Sequence, residues 1–452
     1  MALGVFMWRR WKAIGVLAVA AVVAAVAVAA AAAHSDRTHL SGTLNIMGFG
    51  TNGDDVAMNR FHIAQKAIAP VKVNAPNGGF NEQQFLADLA SKQVPDLVYW
   101  DRSYVGTYAA KGALMPLTSC IKKDHIDLSQ YRQAALAPVT YKGVVYGIPE
   151  FFDVRTIIVD TQVADQSGVT GKMLNTQHLA TLKQAALKMY RHNGGQVTRI
   201  GFDPKLPEFF PLWAKIFGVD ILSKDGLHPH LNDPRAIAAL TYANSLIQAQ
   251  GGYNAFLSFR NTWDFFGSDN QVAKNQIGAW PMEEWYYNVL ASSSPTVSVA
   301  AIPVRNHIGG IINYSTGSAW SIPKGAKNPA AACAWMKAMT ATKTWVTVAN
   351  IRKANYAKKH QYWTGLFTAN SKADAVINKP TAGEPKQWSS IINTVEHAER
   401  YSFALPASPA SAQFNTAWTN AVNRVLQGQQ SPKQALDQAQ KEAVAAIKAA
   451  KK

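Results

Sequence analysis

Cysteine is almost absent: Cys120 and Cys333 are the only two in 452 residues. No CxxC pair, HExxH or other His/Cys cluster at metal-ligand spacing occurs, so a zinc site has no basis and no cofactor is expected. Neither cysteine stands at the end of the N-terminal apolar run, the place a lipidated cysteine needs, and this argues against a lipoprotein anchor. A disulfide between the two and a pair of isolated buried thiols both fit the sequence. Acidic residues are scarce as well, with 28 Asp and Glu against 45 Lys and Arg and a net charge of +17. The cations are dispersed, without a basic helix, zinc finger or aromatic RNP-like pattern, which argues against nucleic acid as a partner. Anionic lipid or wall polymer suits such a surface better. There is no GxSxG nucleophile motif, no internal repeat and no long linker, so the lobes of the chain should be interlaced by several crossings rather than strung in a row.

What is present begins with an export pattern. Arg9, Arg10 and Lys12 precede an uncharged, Ala- and Val-rich run from Ala13 to Ala33, followed by polar His34-Ser35-Asp36-Arg37. The run is long enough to span a bilayer, and its A-x-A triplets also suit signal peptidase, so residues 1–40 read as a signal peptide or an uncleaved membrane anchor. Either way the basic flank keeps the N-terminus inside and sends the body out, an extracytoplasmic location. From Ser41 the chain alternates short apolar strands with helical stretches, the rhythm of an α/β fold with a parallel-rich sheet. Thr43–Met47, Val71–Asn74 and Asp96–Trp100 read as strands, and Asp55–Ala69 and Asn81–Lys92 as helices. Further helices are expected near 177–193, 206–217, 233–250 and 269–276. Each strand ends in a polar or aromatic loop, the edge where open α/β sheets bind ligands.

Three segments in order, Val94-Pro-Asp-Leu-Val-Tyr-Trp-Asp101, Gly112-Ala-Leu-Met-Pro-Leu117 and Tyr141-Lys-Gly-Val-Val-Tyr-Gly-Ile-Pro149, resemble family 1 extracellular solute-binding proteins, the relatives of maltose-binding protein. The likeness continues through Glu150-Phe-Phe-Asp-Val-Arg155, Asn275 to Trp285, Gly317 to Pro323 and Leu426 to Leu436, and covers about residues 42 to 446. It implies a two-lobed periplasmic-binding-protein type II fold with extended hinge crossings. The expected division gives residues 41–150 and 304–345 to the N-lobe, and 151–303 and 346–452 to the C-lobe. The implied function is capture of a sugar by a monomer that closes over it and presents it to an ABC-transporter permease.

A sugar offers hydroxyls around its edge and apolar C–H on its face, so its site needs flat aromatic platforms beside planar polar groups. Trp100 and Asp101 supply both at a strand end. Glu150, Asp153 and Arg155 fall on the first extended crossing, where alternation aligns Asp153 with Arg155. Trp280, Glu283 and Trp285 form a second aromatic-acid cluster, read as a loop because of Pro281, with Trp285 matching the family's stacking tryptophan. Tyr314, Gly317 and Trp320 flank a loop open to close backbone approach, and Glu208 completes the set beside Phe209 and Trp213. A rival reading pairs Glu150 with Glu283 as acid and base of a glycosidase. The same fold would also serve a non-sugar solute, such as a peptide, polyamine or anion, or a surface sensor.

Overall fold

The computed structural model describes residues 40–379 and 383–451, so the N-terminal apolar run lies outside the described residues. The first sheet is begun by β1 (Thr43–Met47), β2 (Lys72–Asn74) and β3 (Leu97–Asp101). A hairpin of β4 (Thr140–Tyr141) and β5 (Val144–Val145) and the short β6 (Ile148–Pro149) follow. The chain then crosses to the second sheet, formed by β7 (Arg155–Asp160), β8 (Arg191–Asn193), β9 (Gln196–Phe202), β10 (Ile277–Glu283) and β11 (Val299–Pro303). It returns through β12 (Asn313–Tyr314) to β13 (Ser318–Ser321), and a late strand, β14 (Ser402–Phe403), pairs with β12. The strand orders are β2-β1-β3-β13-β6 and β11-β7-β10-β9-β8, so the second sheet is built from one continuous stretch while the first regains β13 after it, and the lobes are interlaced.

Local sequence explains most of these elements. In β1, Leu44 and Ile46 are buried while Thr43 and Asn45 face solvent, the alternation of a half-covered strand. Helix Asp55–Ala67 starts where the Asp54 side chain accepts from Ala57 N at 2.7 Å. Pro281 does not make a loop: it sits inside β10, opposite Ile157 of β7, beyond the last β9 pairing at Ala279, where a missing N–H breaks no ladder bond. The stretch 269–276 is a series of turns and not a helix. The Asn270 side-chain oxygen accepts from Val272 N and Ala273 N and caps a turn in which Lys274 N donates to Asn270 O, but Asn275 in the left-handed region at φ +51° stops it from continuing as a helix. The helix of this region is Gly252–Arg260.

Lobe membership departs from the expected division at residue 345. Helix Thr342–Lys358 packs on helix Asp55–Ala67 of the first lobe, and helix Ser371–Ile377 packs on it in turn. Trp345, Val348 and Ala349 are buried with Val56, Trp363 and Ile377 in a small core of their own, which holds this stretch to the first lobe. The chain rejoins the second sheet at helix Lys386–Glu399, which packs on β11 and β7. The last two helices bridge: Ser411–Leu426 lies against Ser103–Ala110 of the first lobe, while Pro432–Ala450 lies against Pro234–Gln248 of the second. Cys120 and Cys333 form a disulfide with Cα atoms 5.7 Å apart, joining helices Thr118–Lys123 and Pro329–Thr340 within the first lobe. Among the described residues no helix is long and apolar enough to cross a membrane.

Candidate functional site

The polar residues of the cleft gather where the chain crosses between sheets. At the carboxyl end of β3, Asp101 is exposed, and its Oδ1 accepts from Ser103 N at 2.8 Å. Arg102 turns inward: Nε donates to Gly317 O at 3.1 Å and Nη2 to the Thr316 carbonyl, while Nη1 is buried without a hydrogen-bond partner. Burial lowers its pKa to about 10, against the opposing pull of Asp153 and Asp101, which leaves it a cation at neutral pH. On the first crossing, Asp153 Oδ2 accepts from Thr316 Oγ1 at 2.6 Å. At the start of β7, Arg155 Nη2 donates to Glu283 Oε1 at 3.0 Å and to Thr316 Oγ1 at 2.8 Å. Its guanidinium carbon lies 4.5 Å from the Phe209 ring centroid and 4.9 Å from that of Tyr314. Asp153 and Arg155 therefore meet through Thr316, and no direct ion pair joins them among the described residues.

A cavity of about 180 Å³ opens beside this cluster, lined by Asp101, Arg102, Ser103, Tyr314, Thr316 and Asn415 among others. On the second lobe, Trp285 begins a helix directly after β10 and is 38% exposed. The Phe266 ring, 66% exposed, stacks with it at 6.2 Å and 16°, and Phe265 lies 6.3 Å away. Two exposed aromatic rings, that of Trp285 two residues beyond Glu283, whose carboxylate holds Arg155, match the needs of a polar ring with an apolar face.

Other expected ligands are elsewhere. Trp100 is 2% exposed and packs among Phe80, Phe85, Tyr104 and Tyr108, with Nε1 donating to Ser321 Oγ at 3.2 Å. Trp320 and Trp280 are buried in the same way, since β13 lies between two strands and β10 is covered on both faces. Glu150 is fully buried against Arg60 and accepts from Trp320 Nε1, so it faces the first lobe's interior and cannot pair with Glu283 as acid and base. Glu208 binds Arg260 at 3.0 Å and Lys205 at 3.6 Å, at the edge of a separate pocket of about 300 Å³. Gly317 has φ +137°, and a Cβ there would stand 2.3 Å from Phe151 O, so glycine lets the two crossings touch. Tyr314 is 7% exposed and lines the cavity.

Arg102, Thr316, Phe265 and Phe266 are not among the residues expected from the sequence. Arg102 directly follows Asp101, and the paired phenylalanines stand in a Trp-Asp-Phe-Phe-Gly loop, so both have a local signal. Thr316 and Asn415 have none.

Trp100→Ala is expected to lower stability by about 3–5 kcal/mol, read by denaturant unfolding. Unchanged stability with weakened ligand binding would put the ring in the cleft instead. Glu284 gives a pH test. Its buried carboxylate accepts from Val154 N, while its backbone N donates to Val154 O at 2.9 Å, fastening β10 to the first crossing. Burial, with Asp153 and Glu283 nearby, raises its pKa well above 4.5. The folded state then holds a proton that the unfolded chain has released, so this contribution to stability is full below pH 4.5 and is lost as pH rises toward the folded pKa. Glu284→Gln keeps an acceptor and removes the titration, so its stability relative to wild type should increase with pH. A difference that stays constant from about pH 4 to about pH 8 contradicts this.

The family model described as bacterial extracellular solute-binding protein matches residues 59–354, and the chain belongs to that family. Among solved structures, CpMnBP1 with mannobiose bound is 22% identical with a TM-score of 0.71, over 89% of this chain and 100% of that one. The GacH receptor of Streptomyces glaucescens, solved unliganded and with acarbose, is 19% identical with a TM-score of 0.68, over 90% and 99%. An ABC substrate-binding protein from Listeria monocytogenes in complex with cycloalternan is 17% identical with a TM-score of 0.69, over 90% and 99%. These likenesses establish the two-lobed binding-protein fold.

Proposed function

We propose that the protein captures a saccharide in the interlobe cleft outside the cytoplasm and delivers it to an ABC-transporter permease. The stacked, exposed pair Trp285 and Phe266 carries this reading, because an open aromatic face two residues beyond Glu283 suits a sugar ring and its hydroxyl donors. The saccharides bound by the structural neighbours support it. The disulfide accords with an oxidising compartment. A thermal-shift screen of residues 40–452 against mono- and oligosaccharides, amino acids, polyamines and oxyanions tests the substrate class, since a solute bound to the native state raises the melting point. A sugar hit supports the proposal; a shift confined to non-sugars overturns it.

A further inference from the structure

We propose that Tyr356 and Asn288 form a latch across the cleft, a positioning pair that holds the lobes together over a solute seated on Trp285; this rests on the two-lobed binding reading above. Tyr356 lies on helix Thr342–Lys358, which packs on the first lobe's helix Asp55–Ala67. Asn288 lies on helix Trp285–Ser293, which follows β10 of the second sheet. The Tyr356 hydroxyl donates to Asn288 Oδ1 at 2.6 Å, so a side chain of one lobe is bonded to a side chain of the other.

Both ends of this bond are held. Four residues before Tyr356, and so on the same helix face, the buried guanidinium of Arg352 is shared by Asp54 and Asp55, with Nε donating to Asp55 Oδ1 at 2.6 Å. Those two carboxylates are the cap and first residue of helix Asp55–Ala67, so the arm carrying Tyr356 is fixed to the first lobe's cleft-side loop. The Arg352 guanidinium carbon stands 6.0 Å from the Tyr356 ring centroid. On the second lobe, Asn288 follows Trp285 by one helical turn, and the crossing bond lies beside the same aromatic platform. Burial raises the Tyr356 pKa above 10.0, which keeps the hydroxyl a donor at physiological pH.

A bond that exists only while the lobes are together stabilises the closed state. Opening must break it, whereas a solute approaching an open cleft does not meet it, so the latch acts on dissociation. Lys66 and Lys188 are exposed, one on each lobe, and both native cysteines are disulfide-bonded. Lys66→Cys with Lys188→Cys therefore accepts two spin labels. In the ligand-free labelled protein, Tyr356→Phe and Asn288→Ala should each move the population toward the longer interlobe distance by about two- to tenfold, and the double variant should add little. With mannobiose and maltotriose as probes, the same variants should raise the dissociation rate of whichever binds by a similar factor. The association rate and the melting point of the free protein should be nearly unchanged.

Superimposable distance distributions in all variants overturn the latch, as does an affinity loss matched by an equal loss of stability. If neither saccharide binds while the distances shift as described, the latch stands and the choice of sugar probes fails.

Discussion

Arg60→Ala is expected to destabilise the protein by about 3–5 kcal/mol, as much as removal of the buried Trp100 ring. Arg60 and Glu150 are both fully buried, with Nη1 and Oε1 2.9 Å apart. The guanidinium carbon also lies 4.1 Å from the Trp345 ring centroid and 5.1 Å from that of Phe151. Removing the cation leaves the buried Glu150 carboxyl with only neutral partners, the Trp320 indole and the Tyr99 hydroxyl. The pair itself contributes less than its loss would suggest, because two desolvated ions repay little more than their own desolvation. Replacing both partners at once, with Arg60→Met and Glu150→Gln, should therefore recover most of the loss. Denaturant unfolding of the two single variants and the double reads this directly. A double variant as unstable as Arg60→Ala would mean that ring packing on the guanidinium, and not the charge, holds this part of the first lobe.

The largest effect on binding is expected from Trp285→Ala. Hot-spot tryptophans contribute about 2–4 kcal/mol, so affinity for the bound saccharide should fall about thirty- to thousandfold. Stability should hardly move, because the Trp285 ring is 38% exposed and rests on Phe265 and Phe266 at its rim rather than in the core. Phe266→Ala should give a smaller loss of the same kind, since Phe266 supports the platform from its outer side. Isothermal titration paired with thermal unfolding separates the two quantities. A lowered melting point with intact binding would assign Trp285 to packing, as the structure already assigns Trp100.

The contrast between these tryptophans shows what the sequence discloses. Strand ends and extended crossings are local features, so the positions of Asp101 at the end of β3, Asp153 on the first crossing, and Arg155 and Glu283 at paired strand ends could be read from their neighbours alone. Burial on both faces of a sheet is not local. β10 is buried along almost its whole length, and no alternation marks Trp280 as core. The partner of Glu150 stands ninety residues earlier, on a helix whose contact with the crossing only the fold reveals. The same holds for Thr316, which joins Asp153 to Arg155 although nothing in the flanking Ser-Thr-Gly suggests it. The lobe boundary shifts for a related reason: the helix carrying Trp345 and Val348 shows almost no amphipathic pattern, and only its small core with Val56 and Trp363 reveals which lobe it joins. The stretch after Asn270 shows the converse, a capped turn that left-handed backbone at Asn275 stops short of a helix.

The most direct test of the account is to mix residues 40–452 with a saccharide that raises the melting point, record small-angle scattering with and without it, and recover the sugar afterwards for mass spectrometry. Reversible capture between closing lobes predicts a smaller radius of gyration in the bound state and a sugar recovered intact. Cleavage of the sugar, or a scattering profile unchanged at saturation, would contradict it.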